Sequence, residues 1–189
     1  MPIVFYYIIP AIMVITILYC CFFTDILKDI STSKNPNKPY SYSRTQLMWW
    51  TFLILPTISI CYAANGFNFP VIDPSLLSLL GIGVGTRIMA SIIDGSDIQN
   101  GKDRVKADRN SINFITDILD DGHGISIHRL QGLLFNVLFG IIYLNTFSLC
   151  LKTLPSFSAQ ELALIGISSG SYLALKANEN SKPMPKQDS

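Results

Sequence analysis

The stretch SYSRTQLMWW at 41–50 decides the fold, because the stretch SIHRLQGLLF at 126–135 repeats its opening 85 residues later. In each stretch, an arginine and a glutamine two residues apart precede a long run without charged side chains. These four residues are Arg44, Gln46, Arg129 and Gln131. Their recurrence predicts that two equivalent helices begin here and that the chain contains two tandem copies of one unit.

The remaining sequence aligns at the same offset. Ten of 49 ungapped positions are identical, and the identities fall at the helix starts, at a proline and at a glycine pair. The motif TDIL precedes both copies, at Thr24 and at Thr116. We interpret each unit as a TDIL turn followed by a hairpin of two helices. Since such a unit returns to its starting side, we expect parallel copies related by a twofold axis along the membrane normal.

The composition indicates a membrane protein. Hydrophobic residues make up 49% of the chain and charged residues only 14%, whereas roughly 25% of residues are charged in soluble domains. A bilayer is crossed by roughly 20 helical residues. We therefore predict an all-α integral membrane protein with about five transmembrane helices, at 3–23, 46–72, 74–93, 130–151 and 159–177.

Two of these spans, 74–93 and 159–177, carry charged residues. Arg87, Glu161 and Lys176 fall near the span ends, where long side chains can snorkel to the membrane surface. Re-entrant or interfacial helices are the alternative interpretation of these two segments.

The basic residues predict the orientation. In the five-span arrangement, twelve of the fourteen Lys and Arg residues fall on one side, which is therefore the cytoplasmic side. The N-terminus is then outside and the C-terminus cytoplasmic. The predicted divisions are an N-terminal helix (1–23), repeat 1 (24–93), a charged loop with the start of an amphipathic helix (94–115), repeat 2 (116–177) and a polar tail (178–189).

Glycines recur one helical turn apart in the second helix of each copy. Small residues at this spacing let another helix approach closely, so helix packing is their expected role. The alternative is that these small residues, with nearby hydroxyls, line a wet path. The glycines are Gly81, Gly85, Gly166 and Gly170.

Polar residues at the helix entries and within the spans are candidate pore residues. The two arginines and two glutamines are expected to anchor and register the helices at the membrane surface, or else to form a charged ring at the inner mouth of an oligomeric pore. Asn136 and Asn145 lie within a predicted span. Because an amide is costly in lipid, both should face protein or water.

The segment 94–129 is the only sizeable polar part of the chain. Its basic residues are candidates for binding an anionic signal such as a nucleotide or short single-stranded nucleic acid, although a solvated loop is the alternative. After a cap at Asn110 or Ser111, apolar residues from 112 to 119 predict a short amphipathic helix. The candidate ligand-binding residues are Lys102, Arg104, Lys106 and Arg109.

The sequence gives no strong signal of catalysis, of a cofactor or of a metal site. Asp120, Asp121, His123 and His128 lie close together, but their spacing fits no established metal motif. The four cysteines lie in or beside apolar runs and form no CxxC pair. We therefore do not expect an enzyme.

We call the two helix starts with an arginine and a glutamine two residues apart, Arg44 with Gln46 and Arg129 with Gln131, the R.Q entries. Through these entries and the helices LLGIGVG (79–85) and GISSGSYL (166–173), the chain resembles a group of small bacterial multi-pass membrane proteins. In size and design it is also similar to the Hailong protein A-like effectors of anti-phage defence. That resemblance implies an oligomeric ion channel in the bacterial inner membrane. It also implies repression by a short DNA signal that a partner nucleotidyltransferase makes, with 94–130 and 24–45 as the signal-binding cap.

Two functions are therefore expected from the sequence. The first is a homo-oligomeric ion channel or pore, gated through cytoplasmic segments by a nucleotide or short nucleic acid. The alternative is a non-conducting membrane anchor or scaffold that docks a soluble partner.

Overall fold

The computed structural model describes residues 4–29, 37–100, 102 and 110–179, with side chains from Tyr7 onward. Every regular element in these ranges is helical, and the only β contacts there are two isolated bridges. A one-turn 3-10 helix, Asp25–Leu27, follows the first long helix. The α-helices are α1 (Val4–Phe23), α2 (Tyr42–Ala64), α3 (Pro74–Gln99), α4 (Phe114–Leu119), α5 (Ile127–Leu149) and α6 (Ala159–Glu179). The predicted all-α class is thus confirmed.

Helix α2 ends eight residues before the predicted span boundary at residue 72. Asn65 follows the helix, and Gly66 and Phe67 then adopt positive φ angles of 67° and 66°. Left-handed backbone is a common helix stop. The predicted end at residue 72 was wrong because it was placed where the uncharged run ends, and that run continues through the turn.

Side chains cap the second helix of each hairpin. Asp73 accepts a hydrogen bond from the Ser75 N–H at 2.8 Å, and Pro74 occupies the first turn of α3. At the start of α6, Ser158 and Glu161 bond each other's backbone N–H groups at 3.3 and 2.7 Å, as in a capping box. The predicted starts at 74 and 159 are therefore correct.

Helix α3 continues to Gln99, six residues beyond the predicted boundary at 93. The residues from Asp94 onward, assigned to a loop from the sequence, are thus the last turns of a helix. This extension brings two carboxylates, Asp94 and Asp97, into buried positions at the end of the bundle.

Four long helices form a closed ring. Helix α2 contacts α3 and α5, and α6 contacts the same two helices from the other side. Helix α1 lies outside this ring, against α2. Side-chain contacts of Gln46 with Ser169, Arg129 with Glu179 and Lys176 with Asp94 place the starts of α2 and α5 beside the ends of α3 and α6. We call this end of the bundle the charged end.

The interior of the ring is filled by large apolar side chains. Trp50, Leu53 and Ile54 of α2 meet Leu76 and Leu79 of α3, and all five are almost completely buried. Aromatic residues of α5 and of the α5–α6 connection complete this core. They are Phe139, Tyr143, Phe147 and Phe157.

By length and apolar composition, three helices of the described chain could cross a membrane, namely α2, α3 and α5. In α1, the segment Tyr7–Phe23 is a shorter apolar helix. Many large apolar side chains of these helices face outward, as in a bilayer-embedded surface. A membrane location is therefore supported.

Candidate functional site at the charged end of the bundle

Each of the two R.Q helices starts on a TDIL turn. The Ser41 N–H donates to the Leu27 carbonyl at 2.8 Å, and the Ser126 N–H donates to the Leu119 carbonyl at 2.9 Å. The leucine of each TDIL motif thus accepts the bond that positions the following helix. The turns fix where both arginines enter the bundle.

The second turn is shaped differently from the prediction. Helix α4 has six residues and begins after Asn113, whose side chain accepts a hydrogen bond from the Thr116 N–H at 2.8 Å. The cap predicted at Asn110 or Ser111 is therefore wrong. Ser111 instead donates its hydroxyl to the buried carboxylate of Asp117 at 2.5 Å.

Asp117 joins the two linkers at this end. Besides the Ser111 hydroxyl, its carboxylate accepts hydrogen bonds from the N–H groups of Ile112 at 3.1 Å and Tyr40 at 3.3 Å. Residues far apart in the sequence are thereby held on one side chain. The first and second TDIL turns are consequently tied to each other.

Arg129 is enclosed by the second copy. One guanidinium nitrogen donates to the Asp120 carbonyl at 2.7 Å, and the other lies 2.6 Å from the Glu179 carboxylate. The ring of Tyr172 lies 5.3 Å from the guanidinium carbon, a cation–π distance. Only 5% of the Arg129 side chain and 7% of the Glu179 side chain are exposed. Arg129 is therefore a buried, fully paired residue.

A second buried ion pair links α6 to α3. The Lys176 ammonium lies 2.9 Å from the Asp94 carboxylate, and both side chains are less than a tenth exposed. The expected snorkelling of Lys176 is therefore wrong, because the extension of α3 supplies a carboxylate inside the bundle. Together the two pairs join the ends of α3 and α6 to the start of α5.

Arg44 has a different environment from Arg129. It donates to the Ile26 carbonyl at 3.1 Å, which parallels the bond from Arg129 to Asp120. Its guanidinium is partly exposed and shares an open groove with Arg87 of α3. Among the described residues, neither Arg44 nor Arg87 forms an ion pair.

The two glutamines also diverge. Gln46 is buried and donates its amide N–H to the Ser169 hydroxyl at 3.1 Å, while its carbonyl oxygen has no partner in the described chain. Gln131 is exposed on the outer face of α5. Only Gln46 bonds a neighbouring helix, which is one of the roles expected from the sequence.

Asn136 is satisfied within the bundle. Its side-chain oxygen Oδ1 accepts the Trp50 indole N–H at 2.7 Å, and its side-chain amide donates to the Gly132 backbone carbonyl at 2.7 Å. Interhelical bonding therefore explains this residue. Asn145 is exposed, and its side chain has no partner among the described residues.

The four predicted glycines do not mark close helix contacts within one chain. An added Cβ at Gly81, Gly85 or Gly170 would meet no atom within 4 Å, and at Gly166 it would meet only Ile82, at 3.9 Å. These glycines leave open, small-residue faces on α3 and α6. No helix among the described residues packs closely against them, so a second copy of the chain is one candidate for such a contact.

The tightest glycine contacts lie on α5 and were missed. A Cβ at Gly140 would lie 2.6 Å from the Trp49 ring, and a Cβ at Gly132 would collide with the Tyr42 and Ser168 hydroxyls. The spacing of eight residues between Gly132 and Gly140 places them near one helix face. That spacing is the sequence signal that could have identified them.

Of the predicted ligand-binding residues, Lys102 lies 3.1 Å from the Asp97 carboxylate, which neutralises part of its charge. Arg104, Lys106 and Arg109 lie outside the described residues, so their ligand-binding role stays a prediction.

The Asp120 turn is built from its own backbone contacts. The Asp120 carboxylate accepts the N–H groups of Gly122 and Gly124 at 2.9 and 3.1 Å. Over the described ranges, no group of three or more His, Cys, Asp or Glu side chains is placed to hold a metal ion.

Comparison of the chain with protein-family models, with curated proteins and with solved structures finds no match.

Proposed function

We propose that the protein is a homo-oligomeric ion channel or pore of the bacterial inner membrane, with the conduction path between protomers. The observation that carries this proposal is the outward face of α5. Gln131 and Asn145 lie 14 residues, or two heptads, apart on one exposed face and have no side-chain partner in the described chain. A row of exposed apolar residues separates them: Leu134, Leu138 and Ile141.

A polar amide facing lipid is unfavourable, and contact with the same face of a second copy removes this cost. The core of a single protomer is packed with aromatic and aliphatic side chains, and its buried Asn136 amide is bonded within the bundle. An ion path is therefore better placed along the α5 faces of neighbouring copies. The open glycine faces of α3 and α6 supply further surfaces for close helix contact.

The proposed architecture has five spans in an N-terminal helix and two parallel hairpins. In favour of duplication, α2 and α5 begin at residues 42 and 127 and α3 and α6 begin at 74 and 159, both at the offset of 85. The matching bonds from Ser41 and Ser126 to the two TDIL leucines support the same view. On this interpretation, the charged end is cytoplasmic.

Gating is proposed to act through the charged end. Buried ion pairs carry a large desolvation penalty, so they are better suited to specifying one arrangement than to adding stability. The pairs Arg129–Glu179 and Lys176–Asp94 join three helix ends. Rearrangement of either pair changes how α5 and α6 enter the membrane, and a ligand that binds one arrangement more tightly shifts the equilibrium.

The proposed gating ligand is a nucleotide or short nucleic acid, and the proposed setting is anti-phage defence with a partner enzyme that makes this signal. Support comes from the basic segment 102–109 and from its position directly after α3, which ends in the ion-pair cluster.

Ion flux from liposomes tests the proposal. We expect the purified full chain to conduct either alone or when nucleotides or short single-stranded DNA are added or removed. Asn145→Leu should reduce this flux several-fold, whereas Thr146→Val, at the adjacent exposed position of α5, should not. Absence of flux under every one of these conditions would contradict a channel and favour the non-conducting anchor or scaffold, with which the closed protomer interior also agrees.

A further inference from the structure

The first copy lacks the partners that enclose the arginine of the second copy. At the offset of 85, Arg44 corresponds to Arg129, and Arg87 corresponds to Tyr172. Tyr172 covers the Arg129 guanidinium at 5.3 Å. The position that covers the buried arginine in one copy therefore carries a second positive charge in the other.

The acidic residue that matches Glu179 also has a different partner in the first copy. Asp94 corresponds to Glu179, which pairs with Arg129 at 2.6 Å. In the first copy, Asp94 instead pairs with Lys176 at 2.9 Å. Asp29 and Asp94 attract Arg44 and Arg87 repels it, but neither carboxylate forms an ion pair with Arg44. Among the described residues, neither of these two neighbouring arginines therefore has an ion-pair partner.

Beside the groove that these arginines share, the outward surface of α3 is apolar. On α3, Arg87 is flanked by outward-facing apolar residues, with Val84 44%, Ile88 53% and Met89 48% exposed. A guanidinium that emerges from such a face lies at the border of the hydrocarbon, where an anion offsets its desolvation. The groove is lined by Ile26, Arg44, Leu47, Met48, Thr51 and Arg87.

We propose that Arg44 and Arg87 form a binding site for the phosphate group of an anionic membrane lipid. Arginine binds phosphate through two parallel N–H donors, and two arginines that line one groove provide both charge neutralisation and orientation. Leu47 and Met48 then contact the acyl chains. The acyl contacts favour a lipid over a soluble phosphate as the source of the anion. The inference does not require that the protein conduct ions.

Native mass spectrometry of the full chain tests this site with two lipids, short-chain phosphatidylglycerol and phosphatidylcholine. We expect preferential retention of phosphatidylglycerol. Arg87→Tyr should weaken it about tenfold, the fold-change expected when charge-assisted hydrogen bonds are lost. Arg44→Gln should act similarly. Lys152→Gln, which removes a distant exposed charge, should leave retention unchanged.

Two controls keep the result interpretable. Arg87→Tyr installs the residue that the second copy already carries, and its melting temperature should stay close to that of the parent protein. Inorganic phosphate at millimolar concentration should not displace the lipid. Equal retention of both lipids, full displacement by inorganic phosphate, or an equal loss in Lys152→Gln would overturn the proposal.

Discussion

The Arg129–Glu179 pair provides the sharpest prediction at the scale of single residues. Glu179→Gln leaves the guanidinium buried with its charge no longer compensated, and removing one partner of a buried pair costs about 3–5 kcal/mol. We therefore expect a large fall in the free energy of unfolding. Denaturation of the detergent-solubilised protein, followed by circular dichroism, measures it.

An exposed pair at the same end of the bundle is the matched control. Lys28 lies 3.0 Å from Asp25, and both side chains contact solvent. Lys28→Gln should change the stability by only about 0–1 kcal/mol, as is usual for surface pairs. If the double variant Arg129→Leu/Glu179→Leu were as unstable as Glu179→Gln, the loss could not be assigned to an unpaired buried charge.

At the scale of elements, the α2–α5 crossing depends on a glycine. The Trp49 indole N–H donates to the backbone carbonyl of Asn136 at 3.0 Å. This bond holds the indole ring in a position where a Cβ added at Gly140 would lie only 2.6 Å from it. Overpacking of this kind costs about 1–3 kcal/mol. Gly140→Ala should thus lower the stability, as measured by chemical denaturation in micelles.

The control for this substitution is Gly95→Ala on α3, where an added Cβ meets no atom within 4 Å. In a helix interior, alanine is favoured over glycine by about 0.5–1 kcal/mol, so this variant should be neutral or slightly stabilised. Equal destabilisation of both variants would contradict a close approach at Gly140 alone.

The start of α3 makes a pH-dependent contribution. Hydrogen bonds from the Ser75 hydroxyl and the Ser75 N–H favour the charged carboxylate and lower the pKa of Asp73. A lowered pKa means that the stabilisation is complete at neutral pH and is lost as the pH falls through that pKa. The melting temperature of Asp73→Asn should therefore lie below that of the parent at pH 7, and the gap should narrow under acidic conditions. A gap that did not change with pH would argue against this cap.

The starts of α3 and α6 were predicted at the right residues, whereas the start of α4, several helix ends and most of the site were not. Local signals mark these two starts, namely Asp73 followed by Pro74 and the Ser158–Glu161 capping box. The end of α2 depends on the turn at Gly66, which leaves no mark in the charge pattern. Asp94 and Glu179 appeared to be solvated because the sequence does not show that α3 and α6 extend past their apolar runs into a shared charged cluster.

At the scale of the whole molecule, the arginines at the starts of α2 and α5 lie in different environments. The second copy closes around Arg129, while the first leaves Arg44 open beside Arg87. Under the proposed duplication, a few substitutions at matching positions would separate a sealed site from an accessible one. An oligomer built from such protomers would present one open site per copy at its lipid-facing surface.

Contact between the α5 faces of neighbouring copies is the prediction at this scale. In a background without Cys20, Cys21, Cys61 and Cys150, Asn145→Cys should form disulfide-linked dimers in membranes when an oxidant is added, because equivalent faces of α5 are expected to meet. Ile15→Cys is the control, since Ile15 is 65% exposed on α1, outside the helix ring. Gel electrophoresis without reductant measures both. Cross-linking that is no greater at residue 145 than at residue 15 would mean that α5 does not join the protomers, and the conduction path would then have to be sought along the glycine faces of α3 and α6.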